Sequence, residues 1–208
     1  MISKPVLLSS LPCEIPYTPV IRRLGYKRGT EPEGETKNLI GTLSTETRLL
    51  AQPKGIYAVC DVSFSKNNIV IEPDFMIKSK SLYKVMANSH SIIIMAVTIG
   101  KDICDKRDYY LNNSGEVTKG VILDAICSET VEAAMQCMHD KIKQAGLQKG
   151  FNTTMRYSPG YNDFELSHQA DINKILNLET IGVQVTDYYI LNPEKSITAL
   201  TGWEHFNE

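Results

Sequence analysis

Residues 117–145 read VTKGVILDAICSETVEAAMQCMHDKIKQA. Apolar side chains fall at 121, 122, 125, 126, 131, 134, 135, 138 and 142, the spacing of one helical face. The stretch predicts one helix from Val117 to about Ala145, the longest element of the chain, roughly 45 Å at 1.5 Å per residue. A helix that long serves as a spine against which a sheet packs. Asn113 or Ser114 is placed to cap it, Glu116 suits its first turn, and Gly146 and Gly150 are placed to end it.

Upstream of the spine the period changes several times. Ile2 to Pro19 is proline-rich and aperiodic, and reads as an extended arm (residues 1–19) packed on a single domain (residues 20–208). Pro19 opens a short helix through Leu24, which Gly25 and Tyr26 stop. Residues 29–35 form a solvated loop, and Thr36 to Leu50 a helix that Pro53 ends. Gly55 to Phe64 and Ile69 to Ile71 are rich in β-branched and aromatic residues, giving two strands joined by a turn at Lys66-Asn67-Asn68. Ser79 to Asn88 is a short helix. Ser91 to Thr98 is a continuous apolar run, as expected of a central strand buried on both faces. Gly100 to Asn112 is helical, with the charges at 101, 102, 105, 106, 107 and 108 on a solvated face.

Downstream, Asn152 to Arg156 reads as a strand, and Asp163 or Ser167 as the cap of a helix running to about Leu176. Ile181 to Val185 and Tyr188 to Leu191 read as short strands, Pro193 to Ser196 as a turn, and Ile197 to Thr201 as the last strand. Helices and strands mix without βαβ alternation, which favours α+β with a largely antiparallel sheet over a doubly wound fold.

Composition narrows the function. With 208 residues and 42% apolar content the chain can bury a real core. A net charge of −2 points to neither nucleic acid nor an anionic membrane as partner. The longest apolar run, Ile92 to Val97, cannot span a bilayer, and residues 1–13 lack the pattern of a signal peptide. Five cysteines without a C-x-x-C pair suit a reducing, cytoplasmic setting, as small buried apolar residues. The four histidines lack metal-ligand spacing, so no metal is expected, and His139 reads as structural. No phosphate loop, dinucleotide fingerprint or nucleophile elbow is present, and no catalytic residue is assigned.

The densest chemistry lies in Arg156-Tyr157-Ser158-Pro159-Gly160-Tyr161-Asn162-Asp163. Pro159 fixes its own φ and Gly160 reaches φ values closed to other residues, so a ligand can approach the loop's backbone closely. Arg156 offers a planar fork of donors matched to a carboxylate. The plain alternative is a Pro-Gly turn with a surface arginine. Glu194-Lys195-Ser196 is a charged turn that can line the same cleft, with Tyr157 and Asp163 as further candidates.

These stretches, together with Leu166, Gln169, Ile181-Gly182-Val183, Gly202, Leu24-Gly25-Tyr26, Val97-Thr98-Ile99-Gly100 and the spine's Ala133, Ala134 and His139, resemble the activation (reactivation) domain of cobalamin-dependent methionine synthase. The likeness is to the small, free-standing versions and runs from about residue 20 to 202. It implies a C-shaped α+β domain, with a twisted, largely antiparallel sheet packed on a long helix and several shorter ones. It implies binding of S-adenosylmethionine and support for reductive remethylation of cobalamin carried by a partner. The reductant would be flavodoxin-like, and the domain would not be active alone. The family's Arg-x-x-x-Gly-Tyr loop falls on Arg156, Gly160 and Tyr161, with Ser158 and Pro159 between them.

In that family an Asp-Trp motif holds the donor's ammonium. Here the only tryptophan is Trp203, which leaves Asp61, Asp163, Glu165 or Glu194 as candidate substitutes. The family's tyrosine-bearing segment beyond the last strand also has no counterpart before Glu208. Both departures keep open an interaction subunit that docks on a corrinoid protein with donor binding weakened or lost. A scaffold for a different small anion is a third reading.

Overall fold

The computed structural model describes residues 1–66, 68–71, 75–113 and 115–206. The elements run β1 (Val6–Leu8), α1 (Tyr17–Arg23), α2 (Gly34–Leu50), β2 (Lys54–Ser65), β3 (Asn68–Ile71), β4 (Phe75–Ile77), α3 (Lys80–Met86), β5 (Ser89–Thr98), α4 (Lys101–Asn112), α5 (Val117–Gln148), β6 (Phe151–Thr153), α6 (Gln169–Leu176), β7 (Gln184–Val185), β8 (Leu191–Asn192) and β9 (Ser196–His205). The architecture is α+β. The large sheet has the order β4-β3-β2-β5-β9-β6, with β1 paired to β2, and every pairing among the described residues is antiparallel.

β5 is the centre. It pairs with β2 from Lys54↔Thr98 to Asp61↔Ser91 and with β9 from Ser91↔Trp203 to Thr98↔Ser196. Successive side chains of a strand point to opposite faces. Ile93, Met95 and Val97 therefore pack with α1, α2, α4 and α5, while Ile92, Ile94 and Ala96 pack with α3, α6 and the β3–β4 pair. A strand covered on both faces has no polar side to show, which is why 91–98 carries no alternation.

Several boundaries differ from those read in the sequence. α5 runs through Gly146, where the Trp203 indole fills the space a Cβ would take; Gly150, at φ +81°, follows the helix end instead. Residue 116 is the N-cap of α5 without a side-chain cap bond, and the capping role assigned to Ser114 lies outside the described residues, as does Asn67 of the hairpin turn. The strand expected at 152–156 covers only Phe151–Thr153. α6 has no side-chain cap: a 3-10 turn at Leu166–His168 leads into it, and Ser167 bonds Glu165. Gly182, at φ +77°, closes a second 3-10 turn (Leu178–Ile181), so the strand expected from Ile181 begins only at Gln184.

The N-terminal segment is bonded to β2 and its approach. β1 pairs with Gly55–Tyr57 of β2, and Leu11 is 2% exposed in the core. Cys60, Cys104 and Cys127 are buried as expected, but Cys13 and Cys137 are only partly so. Among the described residues no helix is long and apolar enough to cross a membrane.

Candidate functional site

The segment after β6 is stitched along β9. Thr154 N–H donates to Gly202 O (2.9 Å), Thr201 Oγ1 to Thr154 O (2.8 Å), and Tyr157 and Leu200 exchange both backbone bonds at 2.8 Å. His139 on α5 joins this seam, with Nε2 3.2 Å from Thr154 O, a carbonyl that can only accept, so Nε2 is the donor. Burial pushes the His139 pKa below its usual value, and the Arg156 guanidinium pushes the same way against the Thr154 bond. A neutral, donating imidazole follows, which is the structural role expected of it.

The Pro-Gly bend then closes on itself. Gly160 N–H donates to Phe164 O (2.7 Å), Tyr161 N–H to Ser158 O (3.4 Å), and Phe164 N–H to Tyr161 O (3.0 Å). Gly160 sits at φ +92°, where a side chain would be strained. Phe164 is fully buried and anchors the bend in the core beneath α6.

Arg156 reaches α5. Its Nη2 donates to Glu132 Oε2 at 3.0 Å, while Nη1 is buried and bonds to no described residue. A pocket of about 270 Å3 opens here, lined by Glu132, Met155, Arg156, Tyr157, Ser158, Tyr161, Asn162 and Ile197. Its charged groups are one carboxylate and one guanidinium. The Ser158 hydroxyl bonds to no described residue, and the Tyr157 hydroxyl accepts from Asn162 Nδ2 at 2.6 Å. Tyr161 is 66% exposed.

The structure thus brings Arg156, Tyr157, Ser158 and Tyr161 together in one wall. Pro159 is buried and Gly160 shapes the bend without lining the pocket. The loop's backbone was read as open to a ligand, but the N–H groups of Gly160 and Tyr161 are used within the bend.

Asp163 leaves the cleft altogether. Its carboxylate accepts from Ser79 Oγ (2.7 Å), Lys80 N (2.7 Å) and Ser81 N (3.1 Å), capping α3. The Ser79 hydroxyl and the other donors hold its pKa well below the usual carboxylate range.

Glu194, Lys195 and Ser196 also belong elsewhere. Lys195 is 7% exposed and bonds Asp124 (2.7 Å) and Ser128 Oγ (3.0 Å) on α5. Glu194 pairs with Arg107 at 2.9 Å, and Ser196 Oγ bonds Thr98 Oγ1 and Pro193 O. Arg107, read as solvated, is 6% exposed and held by Asp108 (2.7 Å), Asp124 and Glu194 (both 2.9 Å).

Asp124, Ser128 and Glu132 therefore form a stripe at i, i+4 and i+8 on α5, meeting Arg107, Lys195 and Arg156 in turn. Glu132 is the charged pocket residue missed in the sequence, beside Met155, Asn162 and Ile197; its only local signal is that spacing. The candidate substitutes for an ammonium partner lie away from the pocket. Asp61 pairs with the terminal amine of Met1 (2.7 Å), and Glu165 accepts from Ser167. No cluster of three or more potential metal ligands occurs among the described residues.

No protein-family profile matches the chain, and no curated protein matches its sequence. Among solved structures, the fold is similar to a crystal structure of the MetH reactivation domain bound to AdoHcy. The TM-score is 0.72 over all of this chain and 80% of that one, at 14% sequence identity.

Proposed function

We propose that the Arg156–Glu132 pocket binds the methionine half of S-adenosylmethionine. On this reading the chain is an activation module, not active alone, for reductive remethylation of a cobalamin-type corrinoid held by a partner. The carrying observation is the pair of opposite charges lining one pocket, with the guanidinium's second nitrogen buried and without a partner among the described residues. A turn of the side chain that frees this nitrogen lets a donor's carboxylate pair with the guanidinium, and the donor's ammonium meets the Glu132 carboxylate. At about 270 Å3 the pocket lies just under the ~300–1,000 Å3 usual for small-molecule sites. It encloses the amino-acid end and leaves the nucleoside along Ser158 and the exposed Tyr161 ring. The sulfonium brings its methyl group already activated, so this chain's residues bind and orient it and transfer no proton. The likeness in fold to an AdoHcy-bound domain supports the same ligand class.

The corrinoid would come with a corrinoid-binding protein or a methionine synthase core, and the electron from a flavodoxin-like or other reductant. Calorimetric titration with S-adenosylmethionine tests the pocket. Arg156→Ala should weaken binding by about 2 kcal/mol, near 30-fold, the cost of a lost charge-assisted contact. Equal affinity in wild type and variant removes Arg156 from the site. Remethylation of an inactivated corrinoid partner, with and without this chain, tests the wider role.

A second reading rests on two other observations. Glu132 already neutralises Arg156, and the Gly160 and Tyr161 N–H groups are taken. Both suit a non-catalytic interaction subunit that docks on the corrinoid protein with donor binding weakened or lost. Capture of that partner by a chain that gives no titration signal selects this reading.

A further inference from the structure

A bulge sits where the segment after β6 runs along β9. Thr153 pairs with Trp203 and Thr154 N–H donates to Gly202 O (2.9 Å), but Leu200 pairs with Tyr157, one residue later than a regular ladder allows. Three steps of one chain face two of the other, so Met155–Arg156 carries an extra residue. That insertion decides where Arg156 points. Thr153 Oγ1 stands 3.2 Å from the Cβ position of Gly146, so residue 153 faces α5. Strict alternation would turn residue 156 away from α5, together with residue 154. The bulge returns Arg156 to the α5 side, where it meets Glu132 at 3.0 Å. Tyr157 then packs with the core on the opposite face, and Met155 is left 66% exposed.

The bulge also frees a carbonyl. Gly202 N–H donates to the Thr154 hydroxyl (2.8 Å), so the Thr154 carbonyl has no ladder partner. It accepts instead from Thr201 Oγ1 (2.8 Å) and His139 Nε2 (3.2 Å). Thr201 belongs to β9, and its bond fixes the bulge along the sheet. His139 belongs to α5, seven residues after Glu132 and on the same face. Among the described residues, the His139–Thr154 bond and the Arg156–Glu132 pair are the two hydrogen bonds tying residues 151–157 to that helix.

We propose that His139 is a positioning residue of the donor pocket. It does not line the pocket; it holds the bulge against α5 and thereby sets where the Arg156 guanidinium stands relative to Glu132. The purpose of this prop rests on the donor reading above, whereas the bulge and its bonds do not.

Two readings on the full chain test it: titration with S-adenosylmethionine, and the Arg156 Nε–H signal in heteronuclear NMR, assigned by its loss in Arg156→Lys. The second needs no donor. His139→Leu keeps the bulk and removes the N–H, while His139→Gln keeps an N–H at similar reach. The leucine variant should shift and broaden the Arg156 signal and weaken binding roughly 3- to 10-fold, the worth of one net hydrogen bond. The glutamine variant should return both readings toward wild type, a rescue that a merely space-filling histidine would not give. His139→Asn, whose amide is too short to reach Thr154, should repeat the leucine result and serves if that variant does not fold. Deletion of Met155, which removes the extra residue, should abolish binding. An Arg156 signal unchanged in His139→Leu, or changed equally by leucine and glutamine, overturns the proposal, as does wild-type affinity after the deletion. If the wild type gives no titration but the NMR pattern holds, the donor reading falls and the His139 prop stands.

Discussion

Arg156 Nη2 and Glu132 Oε2 stand 3.0 Å apart and join the Pro-Gly bend to the middle of α5. The pair is partly exposed, at 27% and 46% of the two side chains, so water and salt screen it. Such pairs stabilise a fold by about 0.2–1 kcal/mol. The pocket they line is a different matter, because a zwitterionic ligand meets both charges at once. Glu132→Gln and Arg156→Ala should therefore each lower the melting temperature only slightly. In titration with S-adenosylmethionine, Glu132→Gln should weaken binding roughly 5- to 10-fold, less than Arg156→Ala, since the amide still accepts a bond. A variant that loses stability and affinity together would mark the pair as structural.

Asp163 stabilises the fold through pH-dependent capping. Its folded pKa is depressed, so the unfolded chain binds the proton more readily as pH falls. The contribution is complete above the unfolded value near 4 and is lost as pH falls below it toward the depressed folded pKa. Asp163→Asn should melt a few degrees lower than wild type at neutral pH. The gap should close as pH is lowered below about 4. Paired thermal melts across that range check the sign; a gap that widens in acid would contradict the capping role.

Arg107 sits at the junction of α4, α5 and the 193–196 turn. Burial disfavours its charge, but the carboxylates of Asp108, Glu194 and Asp124 outweigh that and keep it protonated. Removing one partner of a fully buried pair costs about 3–5 kcal/mol. The carboxylates here are 40 to 63% exposed and can rehydrate. Arg107→Ala should then cost roughly 2–3 kcal/mol, measured by urea denaturation. Lys106→Ala, one residue away, paired to Glu46 at 3.3 Å and lying 4.8 Å from the Tyr110 ring centroid, is partly exposed and should cost about 1 kcal/mol or less.

Arg107 also shows where the sequence stops being informative. It stands among five other charges, and nothing local distinguishes it from Lys106. Its burial depends on carboxylates 17 and 87 residues away. Asp163 looked like a local cap and instead caps a helix 82 to 84 residues upstream. Glu132 had no signal beyond helical spacing, because its partner arrives on the loop after the helix. In contrast, α5 and β5 were legible because each carries a long local pattern that burial alone explains, helical spacing in α5 and an unbroken apolar run in β5. β4 was not legible, since three residues hold no period and its pairing with β3 creates it. Arg156, Tyr157, Ser158 and Tyr161 were readable as a group because the Pro-Gly bend keeps them together in sequence as well as in space.

Gly146 sets two effects of opposite sign against each other. It lies inside α5, where replacing glycine with alanine favours the helix by about 1 kcal/mol. A Cβ there would stand 2.6 Å from Trp203 Nε1 and 3.0 Å from Cδ1. Trp203 is 4% exposed, stacked against Phe151 at 6.0 Å and covered by Lys149 at 5.0 Å, so the indole has little room to withdraw. Overpacking a filled site costs about 1–3 kcal/mol, enough to override helix propensity. Gly146→Ala should thus destabilise the protein, with a shift in the emission of its single tryptophan. Pairing it with Trp203→Phe, which removes the crowding ring edge, should recover most of the loss. If Gly146→Ala raises the melting temperature instead, the contact between α5 and β9 is looser than described.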